Sequence, residues 1–288
     1  MRPVVYRVVR GVALALATAI VAAGVAGAKP ALAQTAAPLQ DGAREAATAA
    51  PAVPAPEAPD AGLSPECRVP GAKLYNLAPL RAVKAALRDD RAIRVLLIGA
   101  SGGGGAFSSV ISYPVRLRTE LEKQFKGMEV EVIHRALSGE VGTGAADMVR
   151  TATAEIGPDL VIWQVGTNDA LARVDVDEFA EALGETVAWL KSHEIDVLLV
   201  DPQYTSTLGS DPYYARVVQA VGTAAARNGV PLVQRFEAMK YLATSGGGAA
   251  VGGFALNNLG KRCIAEHVAR AVAVAVGLAG DETPPASR

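Results

Sequence analysis

The residue with the clearest chemical potential is Ser101, which follows the apolar run Val95–Ile98 and lies among glycines, Gly99 before it and Gly102–Gly105 after it. A run of β-branched and leucine side chains predicts a buried parallel strand, and open α/β sheets bind ligands just beyond the carboxyl ends of their strands. Ser101 is therefore a candidate nucleophile. It needs a group that accepts its proton and others that stabilise the oxyanion formed on its target.

Two further predicted strand ends carry residues that suit such a reaction. Gly139 follows the second strand, and the segment Gly166-Thr-Asn168-Asp169 follows the third. Because the carboxyl ends of parallel strands meet at one edge of the sheet, we expect the serine hydroxyl, a glycine N–H and the Asn168 amide to face one small volume. A hydroxyl beside two convergent donors is typical of acyl transfer, in which the donors stabilise a tetrahedral oxyanion.

These segments resemble the SGNH/GDSL family of serine hydrolases over residues 93–276. The family's Gly-Asp-Ser block is similar to Gly99-Ala100-Ser101, its second-block glycine to Gly139, and its Gly-x-Asn-Asp block is matched in full by Gly166 to Asp169. The resemblance implies that Ser101 is the nucleophile and that its own N–H, Gly139 and Asn168 form the oxyanion hole. It also implies a three-layer α/β/α fold with a five-stranded, parallel, flavodoxin-like sheet.

The last block of the family is incomplete in this chain. The family has Asp-x-x-His shortly before a Leu-Asn-x-x-Gly segment, and here that segment is present as 256–260, but Gly252 and Ala255 stand at the two catalytic positions. No Asp or His occurs from Leu242 to Arg262, so a shift of the alignment does not restore them. We therefore expect the catalytic Asp and His to be missing, and the aspartate of the first block is replaced by Ala100.

No other residue is a convincing general base. The chain has three histidines: His134 at the end of the second strand, His193 at the end of a helix, and His267 about two turns into the last helix. A strand-end or helix-end histidine more often has a structural role, and His267 lies on the order of 10 Å beyond the helix start. Asp169 and Asp201 also end strands, but a carboxylate with an ordinary pKa of about 4 is a weak base for a serine hydroxyl.

Along the chain, segments with the apolar spacing of a strand alternate with segments that have the apolar spacing of a helix. This alternation predicts βαβ units and a mainly parallel sheet. We predict strands at 93–98, 130–134, 160–165, 197–200 and 231–233, and helices at 80–87, 113–125, 144–154, 177–191, 212–228 and 259–276. The five strands with helices for both faces give the same three-layer α/β/α architecture that the resemblance implies.

The N-terminal region predicts export. Arginines precede an apolar stretch, and the small-x-small pattern of a signal peptidase site follows it, so residues 1–33 are predicted to be a signal peptide, with an uncleaved membrane anchor as the alternative. Residues 34–64 are rich in Ala and Pro and predict a disordered linker, 65–279 the hydrolase-like domain, and 280–288 a disordered tail. We expect a periplasmic or secreted protein with no stable membrane span after signal removal.

The two cysteines, Cys67 and Cys263, stand near the two ends of the folded part. In an oxidising compartment such a pair is most simply a disulfide, although two separate buried thiols remain an alternative. The formal net charge of −1 argues against a nucleic-acid partner.

Three functions are open at this point. The first is an exported serine esterase, acting on acyl or acetyl esters of envelope lipids or O-acetylated glycans, with weak or altered activity because the catalytic Asp and His are missing. The second is a non-catalytic acyl- or glycan-binding pseudoenzyme. The third is a dinucleotide-binding dehydrogenase, since the glycine loop also suits pyrophosphate, but the chain has no Tyr-x-x-x-Lys pair. We expect neither a cofactor nor a metal.

Overall fold

A computed structural model of the chain describes residues 62–70, 74–99, 112–137, 139–244, 251–252, 255–256 and 258–278. The predicted signal peptide, nearly all of the predicted linker, the C-terminal tail and Ser101 with its neighbouring glycines lie outside the described residues. Predictions about those segments are neither confirmed nor contradicted by the fold.

The main sheet has six strands in the order β1-β6-β5-β4-β2-β3. The strands are β1 (Tyr75–Asn76), β2 (Ile93–Gly99), β3 (Val130–Ala136), β4 (Leu160–Gln164), β5 (Asp196–Val200) and β6 (Leu232–Val233). Strands β2 to β6 are parallel and correspond to the five predicted strands in the predicted flavodoxin-like order. The sixth strand, β1, was not predicted: it pairs antiparallel with β6, and its two residues are too few to show a period of two.

In the part of the chain that the structure describes, eight α-helices flank the sheet. They are α1 (Arg81–Arg88), α2 (Tyr113–Gln124), α3 (Gly142–Ile156), α4 (Thr167–Ala172), α5 (Val176–Ser192), α6 (Pro212–Asn228), α7 (Arg235–Thr244) and α8 (Asn258–Leu278). Six of them were predicted, whereas α4 and α7 were not. Helix α4 is only six residues long, and the apolar residues of α7 do not gather on one face, so neither gives a helical period in the sequence.

The sheet separates two apolar cores, as the three-layer prediction requires. Along β4, Val161 and Trp163 face the core that includes α3, α5 and α6, whereas Leu160 and Ile162 face the core that includes α1, α2 and α8. All four side chains are buried, which explains why this strand reads as a continuous apolar run rather than an alternating one. The predicted three-layer α/β/α fold is confirmed.

The start of the described chain is fastened to helix α8. A disulfide joins Cys67 to Cys263, which confirms the predicted pairing. Next to it, the Ser64 hydroxyl and backbone N–H donate to the carboxylate of Glu266 at 2.5 and 2.8 Å. These contacts fix a segment that has too few apolar residues to hold itself on the domain.

A short hairpin precedes α8, with strands β7 (Val251–Gly252) and β8 (Ala255–Leu256). Among the ranges that the structure describes, no helix combines the length and the apolar character needed to cross a membrane.

Candidate active site

The candidate site lies where the strand order reverses, between the carboxyl ends of β2 and β4. Gly99 ends β2 with φ of +147°, and a Cβ built on it would be 2.6 Å from the Cβ of Gln164, which ends β4. The close approach of these two strand ends therefore requires glycine at this position. Reversal points of this kind are the usual ligand crevices of open α/β sheets.

The two predicted oxyanion donors converge on one oxygen atom. The Gly139 N–H donates to the Leu137 carbonyl at 2.9 Å, and the Asn168 Nδ2 donates to the same carbonyl at 3.3 Å. Gly139 has φ of +87°, a backbone angle that favours glycine. The structure thus brings Gly139 and Asn168 together, although the strands that they follow, β3 and β4, lie on opposite sides of β2.

The oxygen between these donors belongs to the protein itself. Asn168 Nδ2 also donates to the Glu140 carbonyl at 3.3 Å, so both of its hydrogens bind backbone oxygens. A substrate oxyanion has to replace the Leu137 carbonyl at this position before the two donors can stabilise it. The two donors converge as they do in an oxyanion hole, and the Leu137 carbonyl oxygen occupies the position of the oxyanion.

Ser101 lies outside the described residues, so its role stays a prediction. It follows Gly99, the last residue of β2, by two residues in the sequence.

Asp169 holds the Gly-Thr-Asn-Asp segment to the start of helix α3. Its carboxylate accepts a hydrogen bond at 2.8 Å from the N–H of Gly142, the first residue of α3. Burial raises the pKa of Asp169, and this backbone hydrogen bond opposes the rise. The residue connects two loops of the site and is already engaged, so its position does not favour a role as the missing base.

The positions of the missing Asp and His come together in the structure. Gly252 and Ala255 are direct cross-strand partners in the hairpin that precedes α8. Directly opposed residues of an antiparallel pair have Cα atoms about 4.5–5.5 Å apart, near enough for an aspartate and a histidine to hydrogen-bond. The two positions at which the resemblance predicts an aspartate and a histidine are therefore cross-strand neighbours, and glycine and alanine occupy them.

The three histidines have other surroundings. His134 is half-buried on β3, and burial lowers its pKa. His267 is buried in α8, with Nε2 2.9 Å from the Cys67 carbonyl and Nδ1 2.5 Å from the Tyr75 hydroxyl. His193 ends α5 with its Nδ1 2.8 Å from the Trp189 carbonyl. The contacts of His193 and His267 are structural ones.

A buried polar cluster at the same sheet edge was not predicted from the sequence. Arg235 begins α7 directly after β6, is 4% exposed, and donates to the Asp201 carbonyl at 3.0 Å and to the Thr167 hydroxyl at 3.4 Å. Thr167 in turn accepts from the Gln203 N–H at 3.2 Å. The signal that could have found this cluster is a set of polar residues directly after β5 and β6, the same signal that identified Asn168.

Arg235 and Asn168 border one small cavity. Its volume is about 20 Å³, and its lining includes Leu137, Gly142, Gln164, Thr167, Asn168 and Arg235. This volume is enough for one water molecule. The cavity therefore lies between Asn168, one of the two convergent donors, and the buried Arg235.

The sequence profile of a family described as non-GDSL lipase-like matches residues 66–278 of the chain. A comparison with curated proteins gives no significant match.

Solved structures of esterases and hydrolases share the fold. TesA superposes with a TM-score of 0.52 at 20% identity, covering 62% of this chain and 97% of its own. LAE5, an α/β hydrolase enzyme from the metagenome of Lake Arreo, Spain, gives a TM-score of 0.52 at 21% identity, with 66% and 99% covered. Axe2, an acetylxylan esterase from Geobacillus stearothermophilus, gives 0.50 at 18% identity, with 62% and 94% covered.

Proposed function

Because the chain belongs to the non-GDSL lipase-like family, we propose that it is an exported serine ester hydrolase whose nucleophile is Ser101 and whose activity is weak. The observation that supports this most strongly is the convergence of the Gly139 and Asn168 donors on one oxygen, at the sheet edge where β2 ends with Gly99, two residues before Ser101 in the sequence. The signal-like segment 1–33 supports export.

The proposed reaction has two steps. The Ser101 hydroxyl passes its proton to a solvent water as its oxygen bonds to the ester carbonyl carbon, and the Gly139 and Asn168 donors stabilise the resulting oxyanion. The bond to the alcohol oxygen then breaks, the alcohol leaves with a proton taken from solvent, and the acyl group stays on Ser101. Water attacks this acyl-enzyme in the same way and releases the carboxylic acid.

Weak activity follows from the missing dyad. The catalytic mutants of Axe2 include alanine replacements of a serine, an aspartate and a histidine, the last two three residues apart. Gly252 and Ala255 have the same spacing here and carry no titratable side chain. In serine hydrolases that lose a triad member, the oxyanion hole and substrate binding leave a rate on the order of 10³-fold above the uncatalysed one.

The proposed substrates are small acyl or acetyl esters. Among the structures with this fold, Axe2 acts on acetylxylan, an O-acetylated polysaccharide. Together with the predicted export, this supports O-acetylated glycans or acylated lipids of the cell envelope as the substrate class.

A binding protein without catalysis is the second candidate. It is favoured by the two hydrogen bonds that Asn168 Nδ2 donates to backbone carbonyls, since these leave it no hydrogen for a substrate in this conformation. In that function the crevice holds an acyl or acetyl group without cleaving its ester.

Turnover of p-nitrophenyl acetate separates the two candidates. We expect slow hydrolysis by the wild type, a Ser101→Ala variant that falls to the rate of the buffer blank, and a Ser108→Ala control from the same segment that matches the wild type. Equal turnover by wild type and Ser101→Ala would refute the proposed nucleophile. No turnover above the blank by the wild type would favour the binding protein.

A further inference from the structure

Helix α4 carries the Asn168 donor and is too short to hold itself in place. It has six residues, with Gly166 as its N-cap and Arg173, at a left-handed φ of +57°, as its C-cap. A helix of this length gains too few hydrogen bonds to offset the entropy lost on ordering it. The orientation of α4, and with it that of Asn168, therefore depends on contacts with neighbouring elements.

Asn168 and Asp169 supply the contacts on the β3 side of α4. Asn168 donates to the Leu137 carbonyl at 3.3 Å, and Asp169 accepts from the Gly142 N–H at 2.8 Å. The cavity of about 20 Å³ also borders Asn168, and it has room for one water molecule. Because this space is not filled by protein atoms, packing alone does not fix the Asn168 side chain.

Thr167 supplies contacts with the elements on the other side of β4. Its hydroxyl oxygen accepts from the Gln203 N–H at 3.2 Å and from Nη2 of Arg235 at 3.4 Å. Burial raises the pKa of Tyr214, and a hydrogen bond with the Thr167 side chain opposes the rise. The Tyr214 hydroxyl itself donates to the Gln203 carbonyl at 2.6 Å. Thr167 thus ties the start of α4 to the segment after β5 and to the start of α7.

Arg235 is itself held firmly at the start of α7. It is buried, and its Nε donates to the Asp201 carbonyl at 3.0 Å. Burial lowers the pKa of Arg235, and the charge of the Asp201 carboxylate, its partner, opposes that effect. This carboxylate also accepts from the Phe236 N–H at 2.8 Å. A planar guanidinium fixed through Nε directs its remaining donors along set lines, one of which meets Thr167.

We propose that Arg235 is a positioning residue for the oxyanion donor Asn168 and that it acts through Thr167. Arg235 and the Gln203 N–H hold the Thr167 hydroxyl, which fixes the first turn of α4. Asn168, the next residue, thereby keeps Nδ2 directed at the oxygen position that it shares with Gly139. A shift of about 1 Å in a group of this kind lowers a rate by on the order of 10²-fold. This inference deepens the proposed function and rests on it for the reaction.

The first test is independent of catalysis. It follows by NMR the exchange with water of the two Asn168 Nδ2 protons in the full chain, identified by the loss of their signals in Asn168→Asp. We expect Thr167→Val to raise the exchange rate by about five-fold or more, the value of one neutral hydrogen bond. Arg235→Met should do the same, and so should Arg235→Lys, which keeps the charge beside Asp201 but loses the fork. Thr167→Ser, which keeps the hydroxyl, should match the wild type.

Thr205→Val is the matched control. Thr205 is also a threonine at the end of the β5 segment, and its hydroxyl likewise accepts from a backbone N–H, that of Leu208 at 3.2 Å. We expect Thr205→Val and Thr167→Val to lower the midpoint of thermal unfolding by similar amounts, with only Thr167→Val changing the exchange at Asn168. Exchange at the wild-type rate in Thr167→Val and Arg235→Lys, or an equal rise in Thr205→Val, would overturn the positioning role.

The second test uses the hydrolysis of p-nitrophenyl acetate. We expect Thr167→Val and Arg235→Lys to lower kcat by about ten-fold or more and to change KM by less than about two-fold, because an oxyanion donor acts on the transition state. Thr205→Val should retain the kcat of the wild type. An unchanged kcat in both α4-directed variants, Thr167→Val and Arg235→Lys, would overturn the role in the reaction.

The two tests together separate this inference from the proposed function. Faster exchange at Asn168 in the variants, without Ser101-dependent hydrolysis by the wild type, would support the positioning of the amide and refute the esterase. Ser101-dependent hydrolysis with unchanged exchange in every variant would overturn the positioning role alone.

Discussion

At the scale of single residues, the proposed ester hydrolysis depends on which side chains face the crevice between β2 and β4. Gly139 and Asn168 were predicted from the sequence because each follows a strand directly, and parallel strands end at one edge. Arg235 was not predicted, because it begins a helix without an apolar face. Its place in the polar cluster depends on burial and on contacts with Asp201 and Thr167, which a sequence does not show.

Gly99 is the residue whose replacement tests the packing of the crevice. Gly99→Ala places a Cβ 2.6 Å from the Gln164 Cβ at a left-handed φ, so we expect the free energy of unfolding in urea to fall by about 2–4 kcal/mol. The matched control is Gly184→Ala in α5, where the nearest atom to a built Cβ is 3.9 Å away and alanine should stabilise by about 0.5–1 kcal/mol. A loss of the same size in both variants would contradict the close approach of β2 and β4.

At the scale of elements, helices and strands with a regular period of apolar residues were predictable from the sequence. Segments that are very short, or whose apolar residues do not share one face, were not. Helices α5 and α6 were predicted almost to their ends, since Asp175 and Asp211 cap them and their apolar faces are regular. Strand β1 and the hairpin before α8 were missed because two-residue strands give no pattern. Their position is set by pairing partners far away in the sequence, such as β6 for β1.

The disulfide is the element-scale feature with the clearest prediction. Cys67→Ala combined with Cys263→Ala releases a loop of 196 residues, so we expect the free energy of unfolding to fall by about 2–5 kcal/mol. Ser64→Ala, which removes only the hydroxyl bond to Glu266, should cost about 1 kcal/mol. If the double variant unfolds at the same urea concentration as the wild type, the disulfide does not stabilise the fold.

At the scale of the whole molecule, the buried carboxyl group of Asp201 and the partly buried one of Asp196 make stability depend on pH. Burial raises the pKa of Asp201 to about 7 and that of Asp196, which accepts from the Arg81 and Val83 N–H groups, to about 6. In the unfolded chain both groups lose their protons near pH 4. The folded state therefore holds more protons between pH 4 and 7, and its stability falls as pH rises through that range.

Replacing Asp201 by asparagine isolates its share of this dependence. Asp201→Asn keeps an acceptor for the Phe236 N–H but does not ionise, so the decline of the unfolding free energy from pH 4 to 7 should become shallower by an amount on the order of 2–4 kcal/mol. Asp196→Asn should flatten only the part below about pH 6. Urea unfolding at pH 4.5, 6 and 8 measures both, and an Asp201→Asn variant as steep as the wild type would contradict the assignment.

We propose that the chain keeps the nucleophile and the oxyanion donors of a serine hydrolase and has Gly252 and Ala255 in place of the catalytic Asp and His. The most direct measurement is the turnover of p-nitrophenyl acetate by a variant that combines Gly252→Asp with Ala255→His, whose positions are cross-strand partners. We predict a rise of about 100-fold or more over the wild type, the usual contribution of a general base, and its loss when Ser101→Ala is added. A folded variant no faster than the wild type, or a rise that persists without Ser101, would contradict the claim.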